Sequence, residues 1–390
     1  MTPPTKLLPA LLTFLTAPLI AGAETTPLTQ PLAEERETVI ACEWAKTEPH
    51  QNVPVFGSAK ESEQARGSYH YKLWLPRGYL ADTARRWPCM FIADPGGNAG
   101  MGNMAARLQA GGYVVAMLVE SKNGPWVPIV GNFLAAHDDL VQRVRIQEGL
   151  KFATGMSGGA RGSSLFAQMR PGFAGWIGQG AGFAPDAHGG YHTAGLRKLP
   201  GFLVALTMGE TDDNRNEIEK VRAAVPGAGR FLPLTFSGGH EWAPAEKFAA
   251  ALDWMERQLY TEGPARAELK PAYTAYAQRL AETYAGQTAP WERLKAGDAL
   301  LAYARARNLA MEPALAAQIR EAQAAVQKLR ADPALAREAT AADAWKRLLE
   351  GERGANAAKL AADARDFAKR YAGTEAAREA EKRAGTPPVP

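Results

Sequence analysis

The chain has 390 residues, which is long enough for one large domain and a smaller one, and it can bury a substantial core. Its formal net charge of +4 is small for this length. No run of lysine and arginine is interleaved with aromatic residues, so we do not expect the protein to bind nucleic acid.

The N-terminus has the pattern of a signal peptide. Lys6 precedes an apolar run over residues 7–20, and Ala-Gly-Ala follows at 21–23 as a small-residue cleavage signature. The run contains Pro9 and Pro18, and its length of about 14 residues is short of the roughly 20 that a membrane-spanning helix requires. We therefore expect a cleaved signal peptide over 1–23, no membrane span, and a protein that is periplasmic or secreted.

An N-terminal extension is predicted over 24–65, and it contains one of the two cysteines, Cys42; the other is Cys89. In an oxidising compartment the pair could form a disulfide, which would contribute about 3–4 kcal/mol. Two separate buried thiols, packing as small apolar side chains, fit the sequence equally well. The sequence leaves this choice open.

Residues 66–262 alternate strand-like and helical patterns. The strand-like runs are 70–77, 89–97, 113–120, 201–210 and 231–240. The helical patterns are 103–112, 133–147, 163–171 and 216–225. Such alternation predicts an α/β domain with a doubly wound, mostly parallel sheet covered by helices on both faces.

The composition changes after Tyr260. Residues 261–271 read as a polar hinge, and the chain beyond is rich in Ala, Arg, Lys and Glu without strand-like runs. We expect a small all-helical region over 263–384 and a disordered tail over 385–390. Residues 367–383 resemble the second half of a tetratricopeptide repeat, although only one such unit is visible. These helices are either a docking surface for a protein partner or a solvated appendage.

One short motif carries the predicted chemistry. In the segment FATGMSGGARGS, Gly155, Ser157 and Gly159 fit the pattern Gly-x-Ser-x-Gly. An apolar segment precedes the motif and a helical pattern follows it, which indicates a strand, a sharp turn and a helix. Glycines on both sides of the serine permit a strained turn that exposes the serine hydroxyl. The alternative is a glycine turn with a structural serine.

A serine hydroxyl needs a base to act as a nucleophile. On a doubly wound hydrolase sheet the acid and then the base follow the serine along the chain. His240 lies in the glycine turn SGGHEW after a late strand, and Asp212 follows a buried strand in LTMGETDDN. Asp212 is the predicted acid, and Asp213 beside it is the alternative.

These features together resemble the α/β-hydrolase superfamily, and more narrowly its exported esterases of the polyhydroxybutyrate-depolymerase-like and feruloyl-esterase-like kinds. The resemblance covers roughly residues 66–260. It is carried by the segments YKLWLPRGY, FIADPGGNAG, ATGMSGGARGS, WIGQGAGFAP, MGETDDN and SGGHEWAP. It implies that Ser157 is the nucleophile, Asp212 the acid and His240 the base.

The resemblance also implies an oxyanion hole of backbone N–H groups, from Gly158 and from the Gly96–Gly97 turn. Many relatives carry His-Gly in that turn, whereas this chain has Asp-Pro-Gly-Gly at 94–97. Proline has no N–H, so the second donor would come from Gly96, Gly97 or Asn98.

Aromatic residues are predicted to surround the nucleophile. We expect Trp126 and Phe133, in a loop over 121–133, to lie near the mouth of the cleft, and Trp242 to line the substrate pocket. Phe133 fits a core position equally well, and Trp242 could instead pack on the helix that follows it. A pocket of this kind suits small or aromatic esters better than long lipids.

A second cluster, in DAHGGYH, offers Asp186, His188 and His192. It could suggest a metal site, but its two glycines make a helical pair of histidine ligands improbable, and we expect a loop lining the cleft. No metal and no cofactor are predicted.

The sequence thus predicts an exported serine hydrolase that cleaves carboxylic esters, on a small molecule or a polymer, through an acyl-enzyme. One alternative is a serine peptidase of the same fold, which would usually carry a gating domain for which residues 24–65 are too short. The other is a non-catalytic binding protein, since a fold alone does not establish a function.

Overall fold

A computed structural model describes residues 31–385, except 200, 226, 228, 264 and 352–356. The predicted signal peptide (1–23) and residues 386–390 of the predicted tail lie outside the described residues. The chain divides into two compact units, residues 1–252 and 253–390, which are described separately.

The first unit is built on one eight-stranded sheet. The strands are β1 (Glu37–Trp44), β2 (Gly67–Trp74), β3 (Trp87–Ala93), β4 (Val114–Leu118), β5 (Ile146–Met156), β6 (Phe173–Gln179), β7 (Leu203–Gly209) and β8 (Phe231–Phe236). Their order across the sheet is β1-β2-β4-β3-β5-β6-β7-β8. The pairs β1–β2 and β2–β4 are antiparallel and all others are parallel, which confirms the predicted mostly parallel sheet.

α-Helices accompany the sheet, and most of its parallel strands are joined through one. They are α1 (Ala59–Gln64), α2 (Ala105–Ala110), α3 (Trp126–Arg143), α4 (Gly158–Ser163), α5 (Phe166–Met169), α6 (Glu217–Ala224) and α7 (Ala245–Arg257), the last of which continues across the boundary between the units. The helix predicted over 133–147 begins earlier and ends earlier than expected. Residues 121–133 were predicted to form a loop, but α3 starts within them, and Pro125 and Pro128 lie at its first turn, where no intrahelical N–H donor is needed.

The middle of the sheet is buried on both faces. Every residue of β4, β6 and β7 is buried, as expected for parallel strands between helices. The edge strand β1 instead alternates exposed and buried residues along its whole length. Strands β1 and β6 were not predicted from the sequence. In β6 the apolar run is broken by Gly178, whose Cβ would lie only 2.3 Å from the Trp176 ring.

The disulfide alternative is wrong. Cys42 lies in β1 and Cys89 in β3, with β2 and β4 between them, and both thiols are free and buried. Three strand spacings amount to about 14 Å, whereas a disulfide requires Cα atoms within about 7 Å. Burial raises the pKa of both thiols above their usual value. Both therefore stay protonated and neutral, and pack as small apolar side chains.

The described part of the second unit contains helices and no strand, as predicted. Beyond α7 it contains α8 (Lys270–Gly286), α9 (Pro290–Ala306), α10 (Ala316–Arg330), α11 (Pro333–Gly351), α12 (Ala357–Arg370) and α13 (Glu375–Gly385). Gly373, with φ of 87°, forms the turn between α12 and α13. The likeness of this pair to a tetratricopeptide repeat stays a prediction. Across the described residues, no helix combines the length and apolar character needed to cross a bilayer.

Candidate active site

Ser157 lies at a sharp turn between a strand and a helix. It is the single residue between the end of β5 and the start of α4, and its backbone has φ of 52° and ψ of −119°. Such a conformation costs a residue other than glycine about 1–3 kcal/mol, so the surrounding structure must impose it. One restraint is the hydrogen bond from the Ser157 N–H to the carbonyl oxygen of Gln179, at 2.8 Å. The turn leaves the hydroxyl at the carboxyl edge of the sheet.

The two glycines of the motif are required by close backbone contact. A Cβ on Gly155 would lie 2.4 Å from the carbonyl group of Gly159. A Cβ on Gly159 would lie 2.4 Å from the carbonyl oxygen of Ala93 at the end of β3. Neither neighbour is a flexible side chain that could move aside. The pattern Gly-x-Ser-x-Gly therefore follows from the crossing of helix α4 over strands β3 and β5.

The structure brings Ser157, His240 and Asp212 together. The Ser157 Oγ lies 2.8 Å from the His240 Nε2, and the His240 Nδ1 lies 3.0 Å from both carboxylate oxygens of Asp212. The Asp212 side chain is fully buried, whereas that of His240 is 41% exposed. Asp213, the alternative acid, is exposed to solvent. The three residues follow strands β5, β7 and β8, whose carboxyl ends meet at one edge of the sheet.

The loop that carries Asp212 is held by its own hydrogen bonds. The backbone N–H of Asn214 donates to Asp212 Oδ1 at 2.8 Å, and the Asn214 side chain donates to the carbonyl oxygen of Gly180 at the same distance. Gly180 lies beside Asp212 and His240: a Cβ on Gly180 would lie 3.4 Å from Asp212 Oδ2 and 3.5 Å from the His240 ring. The carboxylate is thereby fixed in the orientation that accepts from His240.

The loop that carries His240 is anchored on both sides. The Thr211 N–H donates to the carbonyl oxygen of Gly238 at 3.0 Å, which joins it to the Asp212 loop. After His240, Ala243 donates its N–H to the buried Gln179 side chain at 3.3 Å and accepts from the Asn103 side chain. Gln179 and Asn103 were not predicted as site residues. Gln179 had one signal, a polar residue at the carboxyl end of a buried strand.

The predicted oxyanion donors are only partly available. Asp94 takes up both glycine N–H groups of the turn: its side chain accepts from Gly96 at 2.7 Å and its carbonyl oxygen from Gly97 at 3.0 Å. The N–H of Asn98 donates to the carbonyl oxygen of Val119 at 2.7 Å. The prediction that Gly96 or Gly97 offers a free N–H is therefore not supported. Within the described part of the chain, the Gly158 N–H has no acceptor.

The aromatic residues fall into different environments. Phe133 is fully buried in α3 and stacks on Phe166 with ring centres 3.9 Å apart, so its predicted place at the cleft mouth is wrong and the core alternative is right. Trp126 is the first residue of α3, not part of a loop, and is half-buried. Trp242 is also half-buried, two residues after His240.

The segment over 186–192 is a turn organised by Asp186. The Asp186 carboxylate accepts from the backbone N–H groups of His188 and Gly190, each at 2.8 Å, and these bonds lower its pKa. His188 is exposed, and burial lowers the pKa of the half-buried His192. Among residues 31–385, leaving aside those not described, no three His, Cys, Asp or Glu side chains lie close enough to hold a metal ion.

Comparison with known proteins gives structural similarities only. No protein-family model and no curated protein matches the sequence. Among solved structures, a ferulic acid esterase is 13% identical over 56% of this chain and 95% of its own, with a TM-score of 0.38. An S-formylglutathione hydrolase from Agrobacterium tumefaciens is 13% identical over 57% of this chain and 96% of its own, with a TM-score of 0.38.

A puromycin hydrolase is 15% identical over 48% of this chain, with a TM-score of 0.37, and the match spans 36% of that protein's length. At these identities a similarity concerns the fold and carries no information on substrate.

Proposed function

We propose that the protein is a serine hydrolase that cleaves carboxylic esters. The observation that carries this proposal is the continuous chain of hydrogen bonds from the Ser157 hydroxyl through His240 to the buried carboxylate of Asp212. A serine with a purely structural role would not require a histidine whose other ring nitrogen is hydrogen-bonded to a buried carboxylate. Nor does a structural turn require the strained backbone found at Ser157.

In the proposed reaction Ser157 attacks the carbonyl carbon of the ester while His240 Nε2 takes the hydroxyl proton. The carbonyl oxygen becomes an oxyanion, to which the free N–H of Gly158 donates. When this intermediate collapses, the C–O bond to the alcohol breaks and His240 returns the proton to the departing oxygen. Water then repeats the sequence on the acyl-enzyme, releasing the acid and restoring the serine.

Asp212 acts through His240. Because the carboxylate accepts from Nδ1–H, the imidazole is held in the tautomer whose Nε2 has a free lone pair facing Ser157. Once His240 carries the proton, the negative charge of Asp212 stabilises the imidazolium. A fully buried carboxylate does this more strongly than an exposed one, because water screens it less.

We propose an ester of a small or aromatic acid or alcohol as the substrate, free or attached to a polymer. Half-buried Trp242, two residues from His240, and Trp126 at the start of α3 are the proposed apolar walls of the pocket. The proposed steps use side chains and backbone of this chain and need no metal or organic cofactor. Export remains part of the proposal, based on residues 1–23, as does a protein partner for the C-terminal helices.

A panel of substrates tests the proposal. Hydrolysis of acetate, butyrate, palmitate and hydroxycinnamate esters should be compared with hydrolysis of a matched anilide. The proposal predicts ester hydrolysis with kcat/KM highest for the acetate, butyrate or hydroxycinnamate ester. Anilide turnover exceeding ester turnover would indicate a peptidase, and a clear preference for palmitate would contradict the proposed pocket.

A further inference from the structure

We infer that the side chain of Asn123 is the second oxyanion donor of this site, in place of a backbone N–H from the loop after β3. The inference rests on the proposed ester hydrolysis. A tetrahedral intermediate is usually stabilised by two hydrogen-bond donors, and removal of one slows the reaction by about 100- to 1000-fold. Here the Gly158 N–H supplies one donor.

None of the three N–H groups expected for this role, in the turn at 96–98, is free to supply the other. Pro95 has none, and the N–H groups of Gly96, Gly97 and Asn98 each have an acceptor at 2.7–3.0 Å. Releasing one of them would break the turn that Asp94 organises. A donor from outside this loop would leave the turn intact.

Asn123 contacts both the loop after β3 and the residue that follows Ser157. Its backbone N–H donates to the carbonyl oxygen of Pro95 at 2.8 Å, which fastens it to the loop after β3. Its side chain lies against Gly158, with Oδ1 only 1.6 Å from the position that a Cβ on Gly158 would occupy and Nδ2 3.4 Å from it. The carboxamide thus lies beside Gly158, between the two segments that usually supply the oxyanion donors of this kind of turn.

The side chain of Asn123 is free to donate. It is exposed, and no described residue forms a hydrogen bond with its carboxamide. A half-turn about its terminal bond exchanges the oxygen and the NH2 group without changing its shape, so either position can present a donor. An Asn side chain can act as an oxyanion donor in serine hydrolysis.

The contact also explains a feature of the motif. The residue after the nucleophile need not be glycine for the turn itself, since the backbone clashes arise at Gly155 and Gly159. At Gly158 the atom that a Cβ would meet first belongs to Asn123. Glycine at 158 therefore leaves room for the carboxamide, and alanine there would push it away while keeping the backbone N–H.

The first experiment measures ester hydrolysis by Asn123→Ala, with Lys122→Ala in the same exposed loop as the matched control. We expect Asn123→Ala to lower kcat by 100- to 1000-fold with KM changed by less than about threefold. Lys122→Ala should stay within about threefold of the wild type in both constants. A trifluoromethyl ketone analogue, which forms an oxyanion when Ser157 adds to it, should bind Asn123→Ala more weakly by the same factor as the loss in kcat/KM.

The second experiment is a double-mutant cycle with Gly158→Ala. Gly158→Ala alone should lose about as much as Asn123→Ala, and adding it to Asn123→Ala should cost little more, because the carboxamide is already gone. Losses that multiply would contradict the inference, as would an Asn123→Ala variant within threefold of an active wild type. If the wild type neither hydrolyses esters nor reacts with a fluorophosphonate, the proposed function fails as well.

Discussion

The carbonyl oxygen of Ala93 lies 2.4 Å from the position that a Cβ on Gly159 would occupy. Because the obstacle is backbone at the end of a central strand, it cannot rotate away. We expect Gly159→Ala to lower the free energy of unfolding by about 1–3 kcal/mol, as other overpacked substitutions do. It should also displace Ser157 from His240 and reduce ester hydrolysis. Thermal unfolding and kcat/KM measure the two effects.

The control for that substitution is Gly100→Ala. No atom lies within 4 Å of the Cβ that this change would add, so stability and activity should remain close to those of the wild type. If Gly159→Ala were as stable and as active as Gly100→Ala, the packing explanation of the motif would be wrong.

The sequence predicted the fold and the turn at Ser157 because their signals are local. Strands β4 and β7 are continuous apolar runs, and the glycines around Ser157 are dictated by contacts inside one short segment. The pairing of Gly96 and Gly97 with Asp94 also had a local signal, since Asp-Pro-Gly-Gly is typical of a turn closed by its own aspartate.

Other features depend on contacts between distant segments. Gln179 and Asn103 both form hydrogen bonds with Ala243, which lies on another loop. Asn123 and Gly158 are 35 residues apart in sequence and lie on different connections between strands. Such contacts become visible once the strand order β4-β3-β5 is known.

The two neighbouring aspartates should behave very differently on mutation. Asp212→Asn removes the carboxylate that holds the His240 tautomer, and should lower kcat by about 10⁴-fold, as loss of a triad acid does elsewhere. Asp213→Asn, on an exposed side chain, should remain within a few-fold of the wild type. Steady-state ester hydrolysis decides between them, and a greater loss for Asp213→Asn would reverse the assignment.

A buried histidine away from the site should make stability depend on pH. His137 stacks on Phe91, donates from Nδ1 to Asp138 at 2.8 Å and has the Lys151 ammonium 3.2 Å from Nε2. Burial lowers its pKa to about 4, helped by Lys151 and opposed by Asp138. The unfolded chain therefore binds more protons than the folded one between about pH 4 and pH 6.5. The contribution of neutral His137 to the free energy of unfolding is fully present above this window and is lost as the pH falls through it.

The measurement is the free energy of unfolding in urea across that window. The slope should approach about 1.4 kcal/mol per pH unit for this one proton. His137→Gln should be less stable at pH 7 but lose this slope, whereas His188→Gln, at an exposed position, should retain it. Retention of the full slope in His137→Gln would assign the effect to other groups.

The C-terminal helices should be dispensable for the chemistry. Ser157, Asp212, His240 and the residues that hydrogen-bond with them all lie within the first unit. A variant ending at Thr261, after α7, should fold and hydrolyse a small ester at a rate close to that of the full chain. An insoluble or inactive product, compared with full-length protein prepared in parallel, would mean that the helices contribute to the first unit.

The central claim is that Ser157 is a nucleophile activated by His240, and covalent labelling tests it most directly. Fluorophosphonate forms a stable adduct with an activated serine, and the intact mass of the protein reports it. We expect one adduct on the wild type, none on Ser157→Ala, and much slower labelling of His240→Ala. Unchanged labelling of Ser157→Ala, or no labelling of a folded wild type, would contradict the account.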